Sequence, residues 1–68
     1  MSLISVQSSN LAAVGYDGGT LVIAFYSGGV YAYFGVPWSE YCGLMQADSH
    51  GQYFNEHIKK RYRWQRIR

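Results

Sequence analysis

The sequence predicts an α+β domain: a three-stranded antiparallel β-meander, or a four-stranded one if either terminus adds a strand, packed against two short helices. Two observations support this fold class. Glycine pairs at Gly18-Gly19 and Gly28-Gly29 separate three segments of alternating apolar residues, a spacing typical of consecutive β-hairpins. Pro37 follows the third segment and precedes apolar residues at helical spacing. We expect the 68 residues to form one domain, 1–68.

The strands of the meander are predicted at residues 11–17, 20–26 and 30–35, with residues 3–6 as a candidate for a short edge strand. If Gly18-Gly19 forms a two-residue loop, Tyr16 pairs with Leu21. Val14 then pairs with Ile23, and the three strands share one apolar face.

The second hairpin allows two registers. A three-residue loop at Ser27–Gly29 pairs Phe25 with Tyr31 and gathers the larger side chains on one face. The same loop pairs Ile23 with Tyr33. A loop of the two glycines alone would shift the pairing by one residue and turn both tyrosines to the other face. We prefer the three-residue loop because its apolar face can be buried.

The first helix is predicted to begin at Pro37, because proline has no N–H to lose at the first helical position. Trp38, Tyr41 and Leu44 follow at helical spacing and form a partial apolar stripe. Gly43 weakens the middle of this helix, so we expect it to be short.

The second helix is predicted to begin after Ser49, which matches a capping box with Gln52 three residues later. Phe54 and Ile58 form its apolar side. From residue 61 two structures stay open. Aromatic and basic residues alternate over four positions, which favours an extended segment, but the helix could also continue to the C-terminus.

Composition narrows the class of protein. Cys42 is the only cysteine, so no internal disulfide is expected, and this favours a reducing compartment. No apolar run approaches the roughly 20 residues of a membrane span, and residues 1–7 lack the regions of a signal peptide. We therefore expect a cytoplasmic protein that does not associate with a membrane.

The charged residues are segregated along the chain. A basic C-terminal segment, 59–68, contains all six basic residues: Lys59, Lys60, Arg61, Arg63, Arg66 and Arg68. All four acidic residues precede it, so residues 1–58 carry −4 and the segment carries +6, which sum to the net charge of +2. Such segregation is typical of an end that binds a polyanion, although a solvated tail that keeps the protein soluble also explains it.

Several short motifs, in the order in which they occur along the chain, resemble those of a known family. They are Ser8-Ser9, Gly15-Tyr16-Asp17, Leu21, Phe25, Gly28, Tyr31-Ala32-Tyr33, Val36-Pro37, Ser49, Gly51, Tyr53-Phe54-Asn55 and His57-Ile58. Over roughly residues 8–62 the chain is similar to the KTSC domain, named for its occurrence at the C-terminus of some lysyl-tRNA synthetases, and it resembles a free-standing small bacterial or phage-like member. The resemblance implies a standalone module without an established activity. Its attachment to a tRNA synthetase suggests RNA binding through domain context alone.

The basic segment is the leading candidate site. Its predicted nucleic-acid-binding residues are Lys59, Lys60, Arg61, Tyr62, Arg63, Trp64, Arg66 and Arg68. Cations neutralise phosphates and release counterions, and the two aromatics can stack on the exposed bases of single-stranded or irregular RNA. The alternative is that Tyr62 and Trp64 pack against the sheet, which would still leave Arg61 and Arg63 for phosphate.

Four further residues are candidates for stacking or for a polar pocket: Tyr31, Tyr33, Asn55 and His57. The two tyrosines would form a stacking platform on an open sheet face, whereas helices over that face would bury them. Asn55 and His57 would line a polar pocket with Ser49.

Catalysis is not expected. The spacing of His50 and His57 is unusual for zinc, and no second cysteine joins Cys42, so no metal site is predicted. Without paired carboxylates or an activated nucleophile, we predict no catalytic residue and no cofactor.

The predicted function is therefore a non-enzymatic binding module for RNA or another polyanion. Two alternatives stay open. One is a protein-interaction module, an adaptor or inhibitor, that docks its basic segment on an acidic protein partner. The other is a homo-oligomer that binds a small anionic ligand, such as a nucleotide, between subunits.

Overall fold

Within residues 2–68, five antiparallel strands form one sheet in sequence order, and two short helices cover one of its faces. The computed structural model describes residues 2–68, and Met1, the first residue of the predicted 1–68 domain, lies outside the described residues. The elements in chain order are β1 (Ile4–Ser5), β2 (Leu11–Asp17), β3 (Thr20–Phe25), β4 (Val30–Phe34), α1 (Trp38–Gln46), α2 (His50–Tyr53), a π-helical segment (Phe54–Ile58) and β5 (Arg63–Arg66). The α+β class is confirmed. The predicted strand number was too low, because each terminus adds one strand.

The C-terminal segment forms a strand and does not continue the helix. The N–H of Arg61 donates to the carbonyl of Ile58 at 3.1 Å and closes a turn. Arg63–Arg66 then pairs antiparallel with β4. This pairing satisfies backbone groups that β4 would otherwise expose as an edge strand.

The first hairpin has the predicted register, with Tyr16 opposite Leu21 and Val14 opposite Ile23. The loop glycines, Gly18-Gly19, have φ angles of +55° and +87°. A two-residue type I′ loop requires positive φ at both positions, and glycine adopts it without a Cβ clash.

The predicted loop of the second hairpin, Ser27–Gly29, is wrong by one residue. The three-residue loop is Tyr26–Gly28, since the N–H of Gly28 donates to the carbonyl of Phe25 at 3.1 Å. The N–H of Phe25 in turn donates to the carbonyl of Gly29 at 3.2 Å. Gly28, with φ of +105°, takes the last loop position, where such a loop needs a positive φ.

This displacement of the loop moves the register by two residues. Tyr31 lies opposite Ile23, and Tyr33 lies opposite Leu21, so the predicted pairs with Phe25 and Ile23 are wrong. Because side chains alternate with a period of two, the shift preserves the face of every residue. The prediction that both tyrosines share a face with the apolar side chains of β3 is confirmed.

Both helices begin close to their predicted positions. Pro37 is the N-cap residue of α1, so the helix starts one residue later than predicted, at Trp38. The hydroxyl of Ser49 accepts a hydrogen bond from the N–H of Gln52 at 3.1 Å, as predicted for the N-cap of α2. Among the described residues, the Gln52 side-chain oxygen does not accept from the N–H of Ser49, so the reciprocal half of the capping box is not formed, and the side-chain nitrogen of Gln52 donates to Glu56.

The core lies between the sheet and the helices. Its buried members are Leu11, Val14, Leu21, Ile23, Tyr33, Val36, Leu44, Phe54 and Ile58. Strands and helices both contribute, so each layer covers the apolar face of the other. Within residues 2–68, no helix has the length and apolar content that crossing a membrane would require.

We predict that Ile23→Ala destabilises the protein by about 2–5 kcal/mol, because the side chain is fully buried and its removal leaves a cavity in the core. Ile4→Ala is the matched control, since this strand isoleucine is 55% exposed and its truncation should cost about 0.5 kcal/mol or less. Urea unfolding followed by circular dichroism measures both values. Equal losses for the two variants would contradict the described core.

Candidate functional site

An open groove lies on the helix-covered side of the sheet, between the second hairpin loop, the π-helical segment and β5. Its volume is about 560 Å³, within the range of roughly 300–1,000 Å³ that is usual for small-molecule sites. The lining residues are Asn10, Phe25, Ser27, Gly28, Tyr31, Tyr33, Phe54, Asn55, Lys59, Lys60 and Trp64. Segments that are distant in the sequence therefore meet at one site.

Aromatic rings form a connected cluster along the groove. Phe54 packs edge-on against Phe25 and Tyr33, with ring centroids 5.4 and 5.3 Å apart. Tyr31 extends the cluster to Trp64, at 5.5 Å. Tyr33 is only 5% exposed, whereas Trp64 is 57% exposed. Trp64 is therefore the most exposed ring of the groove, whereas Phe25 and Tyr31 are half-buried. Burial, together with the neighbouring Tyr31, raises the pKa of Tyr33 to about 12.

The π-helical segment places the polar groups of the groove. The N–H of Lys59 donates to the carbonyl of Phe54 at 2.9 Å, five residues back and not four as in an α-helix. Because this turn is wider, both Lys59 and Lys60 lie near the side of the helix that carries Asn55, and all three line the groove. In a regular α-helix, residues five apart do not face each other. Single π turns of this kind occur frequently at functional sites.

The groove is electropositive. Within the described part of the chain, its lining includes Lys59 and Lys60 but no acidic side chain. Arg66 does not line the groove but lies beside it, with its guanidinium carbon 5.8 Å from the ring centre of Tyr31, in a cation–π contact. Its Nε also donates to the carbonyl of Arg68 at 2.9 Å. These three cations, with Trp64, are hereafter called the groove cluster.

Strand alternation divides the rest of the basic segment. Trp64 lies opposite Tyr33 on the groove face, whereas Arg63 lies opposite Phe34 and therefore on the other face. Arg68 lines a separate, mostly apolar hollow on that other face. The six cations are clustered within residues 59–68 of the sequence, but they do not form one continuous surface in the fold.

Glu40 anchors the chain just before β5. The hydroxyls of Tyr53 and Tyr62 donate to its two carboxylate oxygens at 2.6 and 2.9 Å. The ring of His57 stacks on that of Tyr53, with centroids 4.2 Å apart. Two of the predicted site residues, Tyr62 and His57, therefore belong to this anchor and not to the groove, and Arg61 also lies close enough to act on the carboxylate.

The anchor shifts the pKa values of its members. Burial alone would raise the pKa of Glu40, but the two tyrosine hydrogen bonds and the charges of Arg61 and His57 outweigh it and lower the pKa below its ordinary value. The hydrogen bond to Glu40 raises the pKa of Tyr53 to about 12. Burial and the same carboxylate raise the pKa of Tyr62.

The structure brings together half of the predicted site residues. Tyr31, Tyr33, Asn55, Lys59, Lys60 and Trp64 line the groove. Sequence reasoning missed Asn10, Phe25, Phe54 and the loop residues Ser27 and Gly28 as lining residues. The two phenylalanines were predicted only as apolar strand and helix positions. Asn10 carries no local signal, since only the folded sheet brings it near the π-helical segment.

The fold and the groove define a small α+β domain with an electropositive site at one side of its sheet. The sequence profile of the KTSC domain matches residues 7–62, and the chain belongs to the KTSC domain family. This confirms the resemblance seen in the sequence. A crystal structure of a KTSC domain protein from Yersinia pestis is similar, with a TM-score of 0.94 and 33% identity over 98% of this chain and 97% of that one.

Two further proteins are similar in sequence. An uncharacterized protein of Stutzerimonas stutzeri strain A1501 is 40% identical over 70 residues, which cover 98% of this chain and 99% of that protein. A protein of Tsukamurella paurometabola is 37% identical over 60 residues, which cover 85% of this chain and 90% of that one. Their descriptions name no activity.

We predict that Gly43→Ala destabilises the protein by up to about 2 kcal/mol, although alanine in a helix is ordinarily favoured over glycine by about 1 kcal/mol. A Cβ at Gly43 would overlap the hydroxyl of Tyr53 and lie 2.7 Å from its Cζ, and overpacking of this kind costs about 1–3 kcal/mol. In a Tyr53→Ala background the same substitution should instead stabilise. A double-mutant cycle by urea unfolding measures the reversal, and additive effects would contradict the contact.

We predict that Glu40→Gln makes the free energy of unfolding less dependent on pH in the acidic range. The pKa of Glu40 is lowered on folding, so its carboxylate stabilises the fold above about pH 4.5, the ordinary value, and this contribution is lost as pH falls through the folded pKa. At pH 7 the substitution should cost about 1 kcal/mol, since the anchor is partly exposed. The midpoints of urea unfolding between pH 2 and 7 test this prediction. Identical pH profiles for the two proteins would show that the ionised carboxylate of Glu40 does not stabilise the fold.

Proposed function

We propose that this protein is a non-enzymatic binding module for single-stranded RNA and that the groove cluster is its contact surface. One observation carries the proposal: two lysines and a largely exposed tryptophan line one groove, whose described lining has no acidic side chain, and a third cation, Arg66, lies beside it on the ring of Tyr31. Elsewhere the chain carries its four acidic residues. The charge segregation in the sequence thus corresponds to a local, ligand-sized site.

Each member of the cluster has a suitable role. Lys59, Lys60 and Arg66 can neutralise backbone phosphates, and the release of counterions favours the complex. Trp64 offers a ring on which an unpaired base can stack. Single-stranded RNA fits better than a duplex, because a duplex keeps its bases stacked inside and a deep, narrow major groove hides their edges.

Binding without chemistry is the role that the lining supports. Among residues 2–68, the groove is lined by no carboxylate, histidine or cysteine, the groups that most often supply acid–base or nucleophilic catalysis. We place the protein in the cytoplasm, where single-stranded RNA is available and a lone Cys42 stays reduced.

We predict that the triple variant Lys59→Gln, Lys60→Gln and Arg66→Gln binds a single-stranded RNA at least about tenfold more weakly at 50 mM salt. For single strands, each phosphate contact contributes about −0.7 to the slope of log K against log salt concentration. The loss of three contacts should therefore make this slope less steep by about 2. Fluorescence anisotropy with a labelled RNA of mixed sequence at four salt concentrations measures both quantities.

The matched control removes the other three cations, as Arg61→Gln, Arg63→Gln and Arg68→Gln. Its net charge changes by the same amount, but Arg63 and Arg68 lie on the other face of the sheet and Arg61 lies near Glu40, so its loss of affinity and of slope should be clearly smaller. Equal effects of the two triple variants would show that only net charge matters. No binding of RNA to the wild-type protein at 50 mM salt would refute the proposed function.

A further inference from the structure

We infer that the groove accommodates one adenine nucleotide of the bound strand, with its base stacked on Trp64 and its edge hydrogen-bonded by Asn55. The inference rests on the proposed function and gives it a specificity. It is drawn from three features of the groove: the largely exposed indole of Trp64, the exposed amide of Asn55 and two adjacent lysines.

The stacking surface is on Trp64. Tyr33 and Phe54 are buried and pack edge-on against each other, and Phe25 and Tyr31 are half-buried. Trp64 contacts Tyr31 at one side, with the ring planes tilted by 58°, and keeps 57% of its surface exposed. A base that enters the groove can therefore cover exposed indole surface without displacing a core ring. Stacking of this kind favours purines, whose two fused rings offer more surface than a pyrimidine ring.

Two asparagines line the groove, and we assign the hydrogen-bonding role to Asn55 because it is exposed, whereas Asn10 is half-buried. Asn55 lies on the π-helical segment, and its amide has no hydrogen bond to any other residue in 2–68, in contrast to the neighbouring Gln52, whose amide donates to Glu56. An amide presents a donor beside an acceptor. Adenine presents the complementary pair on its edge, and asparagine is a recurrent partner of adenine for this reason. The Hoogsteen edge of guanine offers two acceptors, so the amide oxygen of an asparagine would find no donor there.

The phosphate sites are Lys59 and Lys60. The wide π turn puts both near the side of the helix that carries Asn55, so a nucleotide whose base reaches Asn55 has its phosphate within the same electropositive groove. The groove volume of about 560 Å³ lies in the range of sites for single small ligands. Its size therefore favours one nucleotide unit over several stacked ones.

The experiment uses Trp64 as its own reporter. The chain contains two tryptophans, and Trp38→Phe leaves Trp64 as the only one. Titration of this variant with AMP, GMP, CMP and UMP at 50 mM salt should quench its fluorescence most strongly, and at the lowest concentration, with AMP. Asn55→Asp removes the amide donor and adds a negative charge, and Asn55→Gln keeps the amide. The affinity for AMP should fall about tenfold in Asn55→Asp and fall clearly less in Asn55→Gln.

A second measurement uses oligonucleotides of adenine and of uracil of equal length. Trp64→Ala should weaken binding of the adenine oligonucleotide by about tenfold. Trp38→Ala is the matched control, because Trp38 is similarly exposed, at 62%, but packs against Tyr16 and Tyr41 outside the groove lining. Its affinity should stay near that of the wild-type protein, and thermal unfolding verifies that all variants are folded.

The outcomes separate this inference from the proposed function. If all oligonucleotides bind equally and Trp64 is not quenched, while the groove triple variant still loses affinity, the adenine site is refuted and RNA binding stands. If AMP quenches Trp64 in an Asn55-dependent way but no oligonucleotide binds, the adenine site is supported and the RNA function is refuted. Preference for GMP over AMP would overturn the assigned role of Asn55.

Discussion

The antiparallel pairing of β5 with β4 determines what the basic C-terminal segment can do. It places Trp64 opposite Tyr33 and Arg66 opposite Tyr31, so these two side chains join the aromatic cluster on the helix-covered face. The same pairing puts Arg63 on the reverse face. A segment that is uniformly basic in sequence therefore becomes two-sided in the fold, and only its groove-facing half is combined with aromatic surface.

The chain reaches β5 through two devices that act together. The π-helical segment buries Phe54 and Ile58 in the core while its wide turn presents Asn55 and two lysines to the groove. Glu40 then holds Tyr53 and Tyr62 on either side of this segment, so the turn that leads into the last strand is fixed to α1. Gly43 is required for that docking, because a larger residue would overlap Tyr53. The position of the groove thus depends on contacts that no ligand touches.

The sequence predicted the parts of this structure that follow from local rules. Alternation located three strands, and paired glycines fixed the register of the first hairpin, because Gly18-Gly19 alone satisfies a type I′ loop. The second register was wrong because Gly28 and Gly29 both adopt positive φ, and only tertiary packing decides which of them closes the loop. The π turn was not predictable, since its wider hydrogen bonding has no distinctive residue pattern at Phe54–Ile58. Only half of the predicted site residues line the groove, because local sequence patterns do not show which side chains the fold brings together. Composition identified the cations and Trp64 of the groove, but Phe25, Phe54 and Asn10 enter it only through the fold.

The position of the cations on an edge strand also has a consequence for solubility. β5 leaves one row of backbone groups unpaired within the described sheet, and arginines on such an edge discourage pairing with the edge of another chain. This protective role requires only charge and would be served equally by arginines on either face. It does not require Trp64 beside Arg66, nor two lysines brought by a π turn to the side of Asn55. Protection of the edge therefore accounts for Arg63 and Arg68 but not for the composition of the groove, which is the reason for proposing that it binds an anionic, ring-containing ligand.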